Sequence, residues 1–171
     1  QKAFKVFKKE FDSFKEDFEA FKHDAFWLED WSAYSLFKSF YNGAPWFEWE
    51  DEYKNWPENR DIDLNDYKDE IFYIEFLQFI FYKQLDEIQM YAHARNLKIM
   101  GDIPFYVDLD SADVWCNREA FLLDEEGKPE YIAGCPPDYF SETGQRWGMP
   151  IYDFNAQEKN GYLFWCNRMS W

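Results

Sequence analysis

From Ile71 to Tyr82 the sequence is apolar on almost every side of a helix, interrupted by Glu75 and Gln78, and it continues amphipathically through Leu85, Ile88 and Tyr91. Such a segment, which Asn65 or Asp66 can cap and which runs to about Arg95, predicts a long helix whose first half is covered on both sides. Directly after it, Leu97-Lys98-Ile99-Met100-Gly101-Asp102 reads as a short buried strand. A long helix followed at once by a buried strand is the repeating unit of α/β folds. Asp102 would then stand at the C-terminal end of the strand, where parallel α/β folds, (β/α)8 barrels above all, bind their ligands.

Two further helices are expected upstream. Phe4, Phe7, Phe11, Phe14, Phe18 and Phe21 recur at three- and four-residue spacing between Lys, Glu and Asp, so they form one aromatic stripe on a helix. Such a stripe can be a seam for a partner, but packing against its own domain is the more ordinary use. A second helix over roughly Phe26 to Phe40 should stop at Asn42-Gly43, with Pro45 keeping it stopped. The stretch from Glu48 to Asp69 is acidic, contains Pro57, lacks periodicity until about Asn65, and reads as a solvated surface excursion. Trp46 and Trp49, on either side of that boundary, could stack on a ligand or pack as a lid.

Between the expected strand and a helix starting near Asn155, whose apolar set includes Tyr162, Phe164, Trp165 and Met169, lies a long connection over 103–154. Functional loops are the usual reason for a connection of this kind. Inside it Phe121-Leu122-Leu123 and Tyr131-Ile132 flank a turn at Gly127 and predict a small hairpin. Asp110 or Ser111 can cap a short helix through Trp115. Asp108, Asp110, Asp113 and Glu119 fall near calcium-loop spacing, but Ala112 occupies a ligand position and Asp113 stands where Gly is required.

Charge narrows the partners. A formal net charge of −16 repels a phosphate backbone and an anionic membrane alike. No run reaches the roughly 20 apolar residues of a membrane span. The N-terminus has no apolar signal segment. Three cysteines without paired spacing, Cys116, Cys135 and Cys166, and His23 and His93 far from them, suggest reduced thiols in a cytoplasmic protein with no metal and no cofactor. The chain opens at Gln1 and closes at Trp171 inside an amphipathic run, which reads as an internal piece of a longer protein.

Aromatic residues make up 23% of the chain, enough to ask what the rings are for. The stretch Gly134-Cys135-Pro136-Pro137-Asp138-Tyr139-Phe140-Ser141-Glu142-Thr143-Gly144-Gln145-Arg146-Trp147-Gly148-Met149-Pro150 combines rigid prolines, flexible glycines, rings, a carboxylate and an amide. Sugars ask for that mixture: rings cover pyranose C–H faces while carboxylates and amides pair with hydroxyls. The same residues could equally make an ordinary aromatic loop pinned on a barrel.

Several segments resemble those of the amylomaltase, or disproportionating enzyme, family of 4-α-glucanotransferases (glycoside hydrolase family 77). They are Phe26-Trp27-Leu28-Glu29-Asp30, Pro45-Trp46-Phe47-Glu48-Trp49, Phe76-Leu77-Gln78-Phe79, Lys98 to Pro104, Asp110 to Trp115 and Pro136 to Gly148, in family order. The resemblance implies a partial (β/α)8 TIM barrel of the α/β class, with extra helices and a long βα-loop insertion. It implies transfer of α-1,4-glucan segments to a glucose or glucan acceptor by a retaining double displacement. The partners would be α-1,4-glucans: maltose, maltodextrins, glycogen or starch-derived chains.

By the family's order the three catalytic carboxylates follow the end of this sequence, so the segment itself should hold none and be inactive alone. The substrate-binding positions carried over are Asp102 at the donor-sugar floor, Asp138 beside the cleavage point, and Tyr139, Phe140, Gln145 and Trp147 on the loop over the glucan. Met149 departs from the Asn common in the family. The expected layout is one incomplete barrel segment: inserted helices and an acidic loop in 1–64, a barrel helix and strand in 65–107, the sugar-binding loop region in 108–154, and the start of the next helix in 155–171. The alternatives are a noncatalytic carbohydrate-binding module and an acidic helical interaction protein using the Phe stripe.

Overall fold

A computed structural model describes residues 2–170. In chain order the elements are α1 (Lys2–Lys9), α2 (Lys15–Asp24), α3 (Leu28–Phe40), α4 (Asp51–Lys54), α5 (Trp56–Asn59), α6 (Lys68–His93), α7 (Ala112–Cys116), β1 (Ile132–Cys135), β2 (Gln145–Pro150), α8 (Phe154–Lys159) and α9 (Leu163–Ser170). They divide into two compact units, Gln1–Ser39 with Asp63–Asp102, and Phe40–Ile62 with Ile103–Trp171. The structure is thus mixed, mostly helix with one small antiparallel sheet. No described helix is long and apolar enough to cross a membrane.

In the first unit the Phe stripe packs on α6 of the same unit, as its ordinary use predicts. Phe4, Phe7 and Phe18 are buried with Phe76 and Phe79, and Phe11, Phe14, Phe21 and Phe72 close the edges. Phe7 alone meets six rings, from Phe76 at 4.7 Å to Phe79 at 5.9 Å, in the tilted and edge-on geometries that ring quadrupoles favour. Lysines rim the cluster: Lys22 Nζ reaches the buried Glu75 at 2.7 Å, and Lys8 reaches Asp69 at 3.2 Å. The expected single helix is broken. A 3₁₀ turn at Phe11–Ser13 separates α1 from α2, at Asp12 and Ser13, residue types of weak helix propensity.

Two expectations about α6 need correction. Its first half is covered on one side only, because Phe72, Phe76 and Phe79 face the stripe while Leu77 and Phe81 remain exposed. Neither Asn65 nor Asp66 caps it. Asp63 Oδ1 accepts from Asn65 N at 2.9 Å and caps a preceding 3₁₀ turn, and Tyr67 precedes α6 without a side-chain cap.

The expected strand at Leu97–Gly101 is not formed. After Asn96, at φ 56°, the chain runs without a ladder partner among the described residues, and Met100 is 95% exposed. A strand exists through its neighbours, and an apolar run suited to burial on both faces has none here.

The second unit is built on tryptophans. Trp46, Trp49, Trp56 and Trp115 are buried, with Trp56 and Trp115 stacked at 5.9 Å and 5°. Each indole N–H donates to a carbonyl: Trp46 to Leu109 at 2.6 Å, Trp49 to Ala44 at 2.9 Å, Trp115 to Lys54 at 3.0 Å and Trp56 to Ile62 at 3.3 Å. The stretch expected to be a solvated excursion is therefore folded as α4 and α5 over these rings, its acids pointing outward. Trp46 and Trp49 are packing residues.

Ser111 caps α7, its Oγ accepting from Val114 N at 3.3 Å, while Asp110 Oδ1 accepts from Trp46 N at 3.2 Å. The expected turn at Gly127 forms, with Leu123 bridged to Pro129. It sits directly on Trp46: a Cβ at Gly127, whose φ is +82°, would lie 2.5 Å from that indole. The helix expected from Asn155 is two helices. Asp153 caps α8, and Asn160 and Gly161 separate it from α9.

Candidate functional site

The stretch singled out for its sugar-like chemistry folds as a hairpin in the second unit. β1 pairs antiparallel with β2, with Ile132 opposite Pro150, Gly134 opposite Arg146 and Cys135 opposite Gln145, and an irregularity between Ile132 and Gly134. Its tip is tied to itself. Asp138 Oδ1 accepts from Phe140 N at 2.9 Å and Ser141 N at 2.8 Å, Asp138 N donates to Ser141 O at 2.9 Å, and Ser141 Oγ donates to Gly144 O at 2.7 Å. This Asx-type turn lets one carboxylate oxygen organise the loop and leaves the other for an outside donor. Gly144 closes the turn at φ +75°, where a Cβ would lie 2.6 Å from Cys135 O. Only glycine fits there.

The tip shows its rings to solvent. Tyr139 is 97% and Phe140 87% exposed, and they meet each other edge-on at 5.6 Å. Lower on the hairpin, Trp147 is 44% exposed, and its Nε1 donates to Gln145 Oε1 at 3.0 Å. Positions 145 and 147 share one side of a strand by its two-residue period, so ring and amide are presented together. Behind Trp147 stands Tyr106 at 6.0 Å, and behind Tyr106 the buried Tyr152 at 6.3 Å and 9°. Burial pushes the Tyr152 phenol above its ordinary value, and the nearby Arg168 guanidinium opposes that shift. It stays a neutral donor, and its hydroxyl bonds the Phe105 carbonyl.

Of the residues expected from sequence, Asp138, Tyr139, Phe140, Gln145 and Trp147 thus share one hairpin. Asp102 does not belong to it; it is the exposed last residue of the first unit. Tyr106 and Tyr152 escaped the sequence reading. The available signal was Phe105-Tyr106, a ring pair directly after Ile103-Pro104, but nothing in the sequence pairs it with position 147. Among the described residues no three His, Cys, Asp or Glu side chains converge as a metal site would require. The hairpin offers flat apolar faces, one free carboxylate oxygen and an amide, a set suited to holding a polyhydroxylated ring.

A family model described as 4-alpha-glucanotransferase matches residues 1–171. The 4-alpha-glucanotransferase of Aquifex aeolicus is 41% identical over 99% of this chain and 34% of its own length. That of Thermus thermophilus is 40% identical over 85% of this chain and 29% of its own. Among solved structures, an amylomaltase from Streptococcus agalactiae in complex with acarbose superposes with a TM-score of 0.81 at 31% identity, covering 91% of this chain and 32% of that one. The chain thus spans about a third of the length of these relatives. With the family model matched from first residue to last, this chain belongs to the 4-alpha-glucanotransferase family.

Proposed function

We propose that the chain is part of a 4-α-glucanotransferase and that its hairpin Ile132–Pro150 holds the α-1,4-glucan being transferred. One observation carries this reading: Trp147 presents a half-exposed ring whose indole N–H is engaged by Gln145, on the same hairpin as the exposed rings of Tyr139 and Phe140. A pyranose can stack on such a ring while its hydroxyls reach the Asp138 carboxylate and the Gln145 amide. That the amylomaltase relative was solved in complex with acarbose is in keeping with this chemistry.

The complete protein, in this reading, is a (β/α)8 barrel that performs a retaining double displacement, with nucleophile, acid/base and third carboxylate supplied by residues outside the given sequence. Asp102, by the family resemblance, is a substrate-binding residue at the floor of the donor-sugar site. The layout proposed is the one expected from sequence, with 108–154 as the sugar-binding region. Cys116, Cys135 and Cys166 form no disulfide among the described residues, in keeping with the cytoplasmic setting proposed.

Two measurements test the proposal. Calorimetric titration of the chain with maltoheptaose should show binding that Trp147→Ala weakens several-fold. Incubation with maltotriose should release no glucose and build no longer oligosaccharide, because the required acid and nucleophile are absent. Turnover above a heat-killed control would place the catalytic carboxylates inside this sequence and overturn the assignment.

A further inference from the structure

Trp147 is held from two directions. From its edge, the indole N–H is tied to Gln145 Oε1 at 3.0 Å. From behind, its ring contact is Tyr106, at 6.0 Å between centroids and 57° between planes. Gly148, which follows at φ +85°, leaves open space where a Cβ would stand, so no side chain there braces the indole.

Tyr106 in turn is fixed by the core. It lies edge-on to Phe105 at 4.9 Å and nearly parallel to Tyr152 at 6.3 Å. Tyr152 is immobile by its contacts: its ring meets Phe121 and Trp165, both at 5.0 Å, its hydroxyl bonds the Phe105 carbonyl, and Arg168 Nη1 stands 3.5 Å from that hydroxyl. A continuous file of rings therefore runs from the buried Tyr152 through Tyr106 to the half-exposed Trp147.

We infer that Tyr106 is a positioning residue for glucan binding, backing Trp147 and setting the angle at which its ring meets a pyranose face. This rests on the reading that Trp147 stacks on the glucan. Tyr106 acts through Trp147: without a wall behind it, the indole samples more orientations when free and must be ordered by the ligand, which weakens binding without removing a sugar contact. The Tyr106 hydroxyl makes no hydrogen bond among the described residues, so the ring alone carries the role.

The test uses the chain labelled with 5-fluorotryptophan, ¹⁹F NMR and maltoheptaose, with Trp147→Phe identifying the Trp147 resonance. Tyr106→Leu should shift that resonance while leaving the other tryptophans in place. It should also weaken maltoheptaose binding roughly two- to tenfold, the range an aromatic pair of this kind contributes. Tyr106→Phe, which keeps the ring, should bind as the unaltered chain does. In a Trp147→Ala background Tyr106→Leu should cost nothing further, because its effect passes through the missing indole.

Unaltered binding by Tyr106→Leu, beside a loss in Trp147→Ala, would overturn the inference, as would an additional loss in the double variant. If Tyr106→Leu disturbs the other tryptophans, Tyr106→Met, which better preserves volume, supplies the same readout. Should Trp147→Ala itself bind maltoheptaose normally, the sugar-site reading fails, and the Trp147 resonance still reports whether Tyr106 holds the ring.

Discussion

Two aromatic regions of this molecule use the same residue types for opposite ends. Around Phe7 the rings of α1, α2, the turn between them and α6 stand 4.7 to 5.9 Å apart in one buried cluster. On the hairpin, Tyr139 and Phe140 meet only each other among the described residues, and Trp147 has one ring behind it and solvent on the other side. Backbone period makes the difference. Residues three and four apart on a helix form one stripe that a second helix covers, whereas rings in a glycine-bounded hairpin have no second layer above them. Aromatic content alone therefore cannot separate core from binding surface; the spacing and the punctuation between the rings do.

Phe76→Ala is the severest way to test the buried side of this contrast. It opens a cavity among Phe4, Phe7 and the stripe and should destabilise the chain by about 3–5 kcal/mol, read by urea or thermal unfolding. A loss below about 1 kcal/mol would mean that the cluster collapses easily and that the stripe is not a packed core.

Gly127→Ala comes next, because it imposes positive φ on a Cβ and drives it against Trp46. An expected loss of about 2–3 kcal/mol, smaller than for Phe76 yet clear in the melting curve, would establish that the second unit has its own tryptophan core. Indifference to this change would return Trp46 to the ligand-facing role left open by the sequence.

At the hairpin tip, Asp138→Ala removes the acceptor of the Phe140 and Ser141 N–H groups. The effect should be local, about 1 kcal/mol by analogy with a lost helix cap. Faster amide exchange at Phe140 and Ser141, with the global melt unmoved, is the expected record. A global shift would show the tip to be part of the core.

Trp147→Ala should leave stability within about 0.5 kcal/mol, as a half-exposed position allows, while costing glucan affinity on the order of 1 kcal/mol. Thermal melts beside calorimetric titration separate the two quantities. If this variant melted as early as Phe76→Ala and bound maltoheptaose unchanged, the two regions would be alike after all and the hairpin would be core.

Much of this was legible in the residues. The 3.6-residue repeat of Phe4 to Phe21, the stop at Asn42-Gly43, the cap at Ser111 and the turn at Gly127 are local signals, each carried by a few neighbours in sequence. The candidate site was legible for another reason: Asp138, Tyr139, Phe140, Gln145 and Trp147 are close in the chain, so a single hairpin brings them together. The break at Glu10–Phe14 was missed because an unbroken apolar stripe masks the weak helix propensity of Asp12 and Ser13.

By itself the sequence determined family membership, the helical stripes, the turn positions and the segment proposed to bind sugar, all of which depend on residue identity at short range. Tertiary structure decided the rest. Leu97–Gly101 has the composition of a strand but lacks a partner among the described residues, and a strand is a property of pairs. Three tryptophans in and beside an acidic, aperiodic stretch joined the distant Trp115 in a core, because burying an indole whose N–H finds a carbonyl outweighs the polarity of its sequence neighbours. Tyr106, far from Trp147 along the chain, became its support only because folding set it between that indole and Tyr152, a contact between distant positions that no local pattern encodes.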